Sequence, residues 1–167
     1  MPFTSLMRVC AVHPVIPFGS VTHGTHCPST SPFAPKMLAV GESAAAVPTL
    51  VHQKDGFIVN ISSMWGERGA AFESIYSASK GALNAFSRAL GKELAPSNVR
   101  VNAIACGVID TPMNAHLSEE ERRTLCDAIP MGRYGQPAEV AALVGFLAQG
   151  ECAYLTGQVL TVDGAFS

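Results

Sequence analysis

The sequence lacks an excess of charge of either sign. Eleven basic residues against thirteen acidic ones leave a formal charge of -2 over 167 residues. Such a balance gives no basic stripe for a phosphate backbone and no cationic face for an anionic membrane, so neither is an expected partner. No apolar run approaches the roughly 20 residues that span a bilayer. The five cysteines, Cys10, Cys27, Cys106, Cys126 and Cys152, are odd in number, widely spaced and without a CxxC pair. A disulfide framework is therefore not expected, and reduced thiols in a cytoplasm are the simpler reading. The opening MPFTSLMRVCAVHPVIPFGS has no basic segment before its apolar stretch, which His13, Pro14 and Pro17 interrupt, so a signal peptide is not expected either. A hydrophobic share of 48% at this length supports one core, and a second domain is not expected.

Composition divides the chain near residue 55. Before it fall Pro2, Pro14, Pro17, Pro28, Pro32, Pro35 and Pro48, four of the five histidines, and almost no charge until Lys54 and Asp55. Neither helical nor alternating periodicity survives that much proline, and residues 1–50 read as an irregular Pro/His-rich segment. The alanine-rich piece Lys36 to Val47 is its one helix-like stretch, kept short by Gly41 and Pro48. His13, His23, His26 and Cys27 include metal-ligand types, but HxxHC without a second spaced pair is no zinc pattern, and no metal site is expected.

From residue 51 to 167 the punctuation becomes regular. Phe57 to Ile61 is a β-branched run ending in Ser62-Ser63, the signature of a buried parallel strand whose last residues edge a site. Leu83, Phe86, Leu90 and Leu94 recur at helical spacing over Tyr76 to Leu94, with Pro96 as the stop. Arg100 to Ile104 reads as the next strand. Ser118 with Glu121 forms a capping box whose acidic first turn, Glu119 to Glu121, is a solvated helix start. Pro137 opens a further helix, and Gln158 to Val162 is a last strand. Strands alternating with helices predict an α/β fold with a parallel sheet, its ligands beyond the carboxyl ends of the strands.

Tyr76 and Lys80 stand at i and i+4 at the start of one helix, so they share a face. A nearby ammonium favours the phenolate, and Lys80 is expected to bring the phenol toward what a general acid/base at neutral pH requires. Ser63, closing the preceding strand, is placed to hydrogen-bond a carbonyl oxygen while Tyr76 protonates it. Tyrosine and lysine at this spacing are common by chance, and alone they read equally as a helix-surface pair.

The surrounding segments resolve that ambiguity. Gly56-Phe57-Ile58-Val59-Asn60-Ile61-Ser62-Ser63, Tyr76-Ser77-Ala78-Ser79-Lys80-Gly81-Ala82-Leu83 thirteen positions after Ser63, and Val99-Arg100-Val101-Asn102-Ala103-Ile104 follow one another. Then come Ala105-Cys106-Gly107-Val108-Ile109-Asp110-Thr111, the stretch Gly132 to Ala141, and the closing Tyr154-Leu155-Thr156-Gly157-Gln158 with Val162-Asp163-Gly164-Ala165. In this order they resemble the catalytic half of the short-chain dehydrogenase/reductase family, especially its 3-oxoacyl-carrier-protein-reductase-like branch. The resemblance implies a partial Rossmann-like sheet with flanking helices, catalysis by Ser63, Tyr76 and Lys80, and cofactor contacts from Tyr76, Lys80, Gly107, Ile109 and Thr111. It further implies NADP or NAD, NADP slightly preferred, a small-molecule or carrier-linked carbonyl substrate, and a homo-oligomer formed through the Tyr76–Leu94 helix. Cys106 stands where the family has proline. Arg133, Asp163 and Gly164 are assigned to turns and packing.

Family members open with a strand, a TGxxxGxG turn and a helix that cradle the pyrophosphate. No such turn, no NNAG segment and no tetrad asparagine is found here, so the βαβ nucleotide-binding portion is expected to be missing. A truncated or frame-shifted remnant unable to bind cofactor is the alternative to an active oxidoreductase. A reductase of the aminopentanone modification on elongation factor P is a second alternative.

Overall fold

A computed structural model describes Cys10–Val12 and Ala34–Ser167, with side chains from Ser43 onward. Four strands form one parallel sheet in the order β1-β2-β3-β4: β1 (Cys10–Val12), β2 (Gly56–Ser63), β3 (Val99–Cys106) and β4 (Val159–Val162). The α-helices are α1 (Ala34–Gln53), α2 (Trp65–Arg68), α3 (Ser74–Leu94), α4 (Glu119–Ala128) and α5 (Pro137–Gln149). The expected α/β architecture, partial and Rossmann-like, is the one that forms.

Alternation along β2 and β3 decides which helix covers which face. Ile58, Val99 and Val101 pack with Leu50 of α1 and Leu90 and Leu94 of α3 on one side. On the other side Phe57, Val59 and Ile104 meet Leu147, with Val140, Leu143 and Val144 of α5 against them. The sheet is thus covered on both faces, as near-continuous apolar strands require.

One polar residue interrupts this core. Asn60 is fully buried on the α1/α3 side. Its Oδ1 accepts from Ser43 Oγ at 3.1 Å, and its Nδ2 donates to Ser87 Oγ at 2.9 Å. Ser87 passes its own proton to the Leu83 carbonyl at 2.8 Å. One amide thereby pins α1, β2 and α3 together, with a partner on both its nitrogen and its oxygen as burial demands.

The structure adds two features to the opening. Cys10–Val12 pairs with Ile58–Asn60 as a parallel strand. The short Lys36–Val47 helix is in fact 20 residues long and runs through Pro48. Proline at this position removes the bond to the carbonyl four residues back, but Ala46, Val47, Leu50 and Val51 pack on the core and hold the helix past it. Residues 1–9 and 13–33 lie outside the described residues, as do His13, His23, His26 and Cys27. Among the described residues no helix is long and apolar enough to cross a membrane.

Candidate active site

Strand ends and a helix start meet at one edge of the sheet. Ser63 closes β2 opposite Cys106, which closes β3. The ladder continues past both strands: Met64 N–H donates to the Cys106 carbonyl at 3.0 Å, and Gly107 N–H to the Val162 carbonyl at 2.9 Å. The first turn of α3 brings Tyr76 over this edge, where its phenol shares a hydrogen bond with the Ser63 hydroxyl. Lys80, one turn on, is buried. Its Nζ donates to the Ile61 carbonyl at 2.9 Å and lies 5.8 Å from the centroid of the Tyr76 ring. The three residues singled out from sequence are therefore brought together, Ser63 and Lys80 anchored on the same strand.

Two glycines make that approach close. A Cβ on Gly66 of α2 would sit 2.7 Å from the Lys80 carbonyl carbon, and one on Gly81 would sit 3.0 Å from the Gly66 oxygen. Ser62 Oγ donates to the Lys80 carbonyl at 3.3 Å, fixing α3 from the strand side. The Ile61 carbonyl, the Ser62 hydroxyl and Gly66 were not singled out from sequence. Their signal is spatial, since each meets Lys80 across the fold.

Electrostatics differ from expectation at Tyr76. Burial pushes its phenol above the usual range; the Ser63 hydrogen bond pulls it down, and the Glu73 carboxylate and Cys106 push it up. Lys80 was expected to bring it down, but burial is the largest influence on the phenol and holds it above its usual range. Cys106, beside the pair, is pushed up to about 11 by burial, with Lys80 opposing. A thiol so placed is protonated and unreactive at neutral pH.

The loop after β3 runs along the same edge. Gly107 must be glycine, because a Cβ there would meet the Asp163 Cα at 2.6 Å. Ile109 bridges to Gly135 as an isolated parallel pair. Thr111 precedes the 3-10 turn Pro112–Asn114. Asp163 accepts from the Ala165 and Ser167 amides, and Arg133 forms a forked pair with Glu139, so both serve turns and helix ends. The capping box of Ser118 and Glu121 is present. Among the described residues no group of three histidine, cysteine or acidic side chains is placed to hold a metal.

Comparison with known proteins adds what geometry alone does not. Residues 39–167 match the family described as enoyl-(acyl carrier protein) reductase, the match beginning inside α1. The chain belongs to the short-chain dehydrogenase/reductase family. Among its relatives in this family is an oxidoreductase of Bacillus subtilis described as uncharacterized, 44% identical over 120 residues, which are 72% of this chain and 50% of the relative. Another is a 3-oxoacyl-[acyl-carrier-protein] reductase of Thermotoga maritima, 46% identical over 118 residues, 71% of this chain and 48% of the relative. A crystal structure of the 3-oxoacyl-[acyl-carrier protein] reductase from Brucella melitensis superposes with a TM-score of 0.72 at 36% identity, covering 77% of this chain and 49% of that one. This short-chain dehydrogenase/reductase chain spans about half the length of the relatives it matches.

Proposed function

We propose that the chain carries the reacting half of an NAD(P)-dependent oxidoreductase acting on a carbonyl/alcohol pair, with a 3-oxoacyl thioester as the substrate class. The observation that carries this reading is the Ser63–Tyr76 hydrogen bond at the end of β2 beside the buried Lys80. The donor set suits the reacting end of a nicotinamide nucleoside: an ammonium and the hydroxyls of Tyr76 and Thr111 match a ribose diol. Ile109 and Thr111 would line the loop side, while Gly107, its N–H committed to Val162, sets where that loop leaves the sheet. Among the described residues no glycine-rich turn opens a helix after a strand to take the pyrophosphate. Bound nicotinamide supplies the hydride.

Ser63 donates to the substrate carbonyl oxygen and orients it. Tyr76 delivers the proton to that oxygen, and Lys80 contributes positive charge beside it. A phenol held above its usual range stays protonated at neutral pH, which fits reduction of the carbonyl; oxidation of the alcohol would demand a more alkaline medium. NADP is preferred to NAD on resemblance. Association of two copies would use the exposed small face of α3, Ile75, Ala78, Ala82, Ala85 and Ala89.

Titration of the purified chain with NADPH and with NADH, followed by 3-oxoacyl thioester turnover, tests the reading. Saturable binding and cofactor oxidation are expected. Tyr76→Phe should keep the binding and lower turnover by about 10²–10⁴-fold. Absence of saturable binding by either dinucleotide overturns the proposal in favour of a non-catalytic member of the family.

A further inference from the structure

Helix α4 buries none of its residues, so packing alone does not fix it to the body of the fold. A single guanidinium supplies much of the attachment. Arg122 Nη2 donates to Asp110 Oδ1 at 3.0 Å, and Nη1 donates to the Asn114 carbonyl at 3.4 Å. The Arg122 Cζ stands 4.9 Å from the ring centroid of Tyr134, which is itself buried. Each of these partners is fastened in turn. Asp110 N–H donates to the Gly135 carbonyl at 2.8 Å and Gly135 N–H to the Val108 carbonyl at 2.9 Å, while Asn114 Nδ2 donates to the Ile109 carbonyl at 2.7 Å. Arg122 thus joins α4, the 3-10 turn and the loop from Gly107 to Thr111 at the segment Tyr134–Gly135.

We propose that Arg122 is a positioning residue that couples α4 to the loop bearing Ile109 and Thr111, so that the two move as one unit and a ligand held by the loop also steadies α4. The significance for cofactor rests on the oxidoreductase reading above; the coupling itself does not. Arginine is required here because its planar fork reaches two acceptors while its flat face lies on an aromatic ring, a geometry a lysine ammonium does not reproduce. Outward movement of α4 breaks the Asp110 bond, and the loop then loses its lateral restraint.

Amide hydrogen exchange on the purified full chain tests this, with Arg122→Gln, Arg122→Lys, Asp110→Asn and the Asp110→Asn/Arg122→Gln double variant. In every variant amides of α4 and of residues 111–117 should exchange about two- to five-fold faster, the scale of a partly exposed ion pair, with β2 and β3 unchanged. The double variant should be no faster than Arg122→Gln, because both changes cut the same link. Unchanged exchange in Arg122→Gln, additive effects in the double variant, or full protection in Arg122→Lys would each overturn the proposal. A chain that binds no dinucleotide yet shows this pattern retains the coupling and loses only the oxidoreductase reading.

Discussion

Substituting Gly66 by alanine probes the contact on which the candidate site depends. The added Cβ would meet the Lys80 carbonyl carbon at 2.7 Å, with the Gly81 nitrogen and Lys80 oxygen both at 2.9 Å. All three are backbone atoms, so no side chain swings away to make room. Restoring a contact of about 3.4 Å requires α2 and α3 to part by about 0.7 Å, and overpacking of this kind costs about 1–3 kcal/mol. Any part of that shift taken up by α3 strains the bond from Lys80 Nζ to the Ile61 carbonyl, now 2.9 Å long. Denaturant unfolding of the purified chain should show the loss, and turnover, where present, should fall by up to about 100-fold from misplacement. Gly145→Ala is the internal reference. Gly145 lies in α5 with no atom within 4 Å of its Cβ position, and alanine there should stabilise by about 0.5–1 kcal/mol. A Gly66→Ala chain as stable as the parent would refute the close α2/α3 contact and the role given to it.

Two further outcomes follow from buried groups. Asn60→Ala removes the acceptor of Ser43 and the donor to Ser87; leaving those hydroxyls short of partners should cost about 1–3 kcal/mol in urea unfolding, and a cost indistinguishable from zero would show that the amide does not link the helices. The Cys106 thiol, raised to about 11, holds its proton in the folded state after an unfolded chain has released it. Stability from this group is complete below the ordinary thiol range and is lost as pH rises toward 11. In the folded chain, alkylation followed by mass spectrometry should find Cys106 far slower than the exposed Cys152 at pH 8, and comparable rates would contradict the burial.

Much of this arrangement was legible in the residues themselves. The β-branched run through Ile61, the leucine spacing of α3, the Ser118–Glu121 capping box and Pro137 at a helix start are local signals, and each element forms where that chemistry places it. The i, i+4 pair of Tyr76 and Lys80 and the strand-ending Ser63 were likewise readable, since both follow from periodicity. Long-range facts were not. That α1 continues through Pro48 depends on Leu50 reaching the core made by residues far along the chain. That a three-residue strand forms at Cys10 depends on β2 offering its edge, which no short window of sequence records. The direction in which Tyr76 is shifted depends on how deeply the fold buries its phenol, and spacing on a helix does not specify that.

The hydrogen bonds from Met64 to Cys106 and from Gly107 to Val162 carry a consequence for how such a site tolerates change. They make the base of the cleft out of main chain, continuous across three strand ends. Side chains at those positions hang from this base without composing it. Cysteine at 106 offers the carbonyl that Met64 uses and keeps a backbone N–H for the ladder, a donor that proline would remove. A substitution there that keeps the N–H leaves these main-chain bonds available, so what it alters is the lining above them, its bulk, polarity and oxidisability.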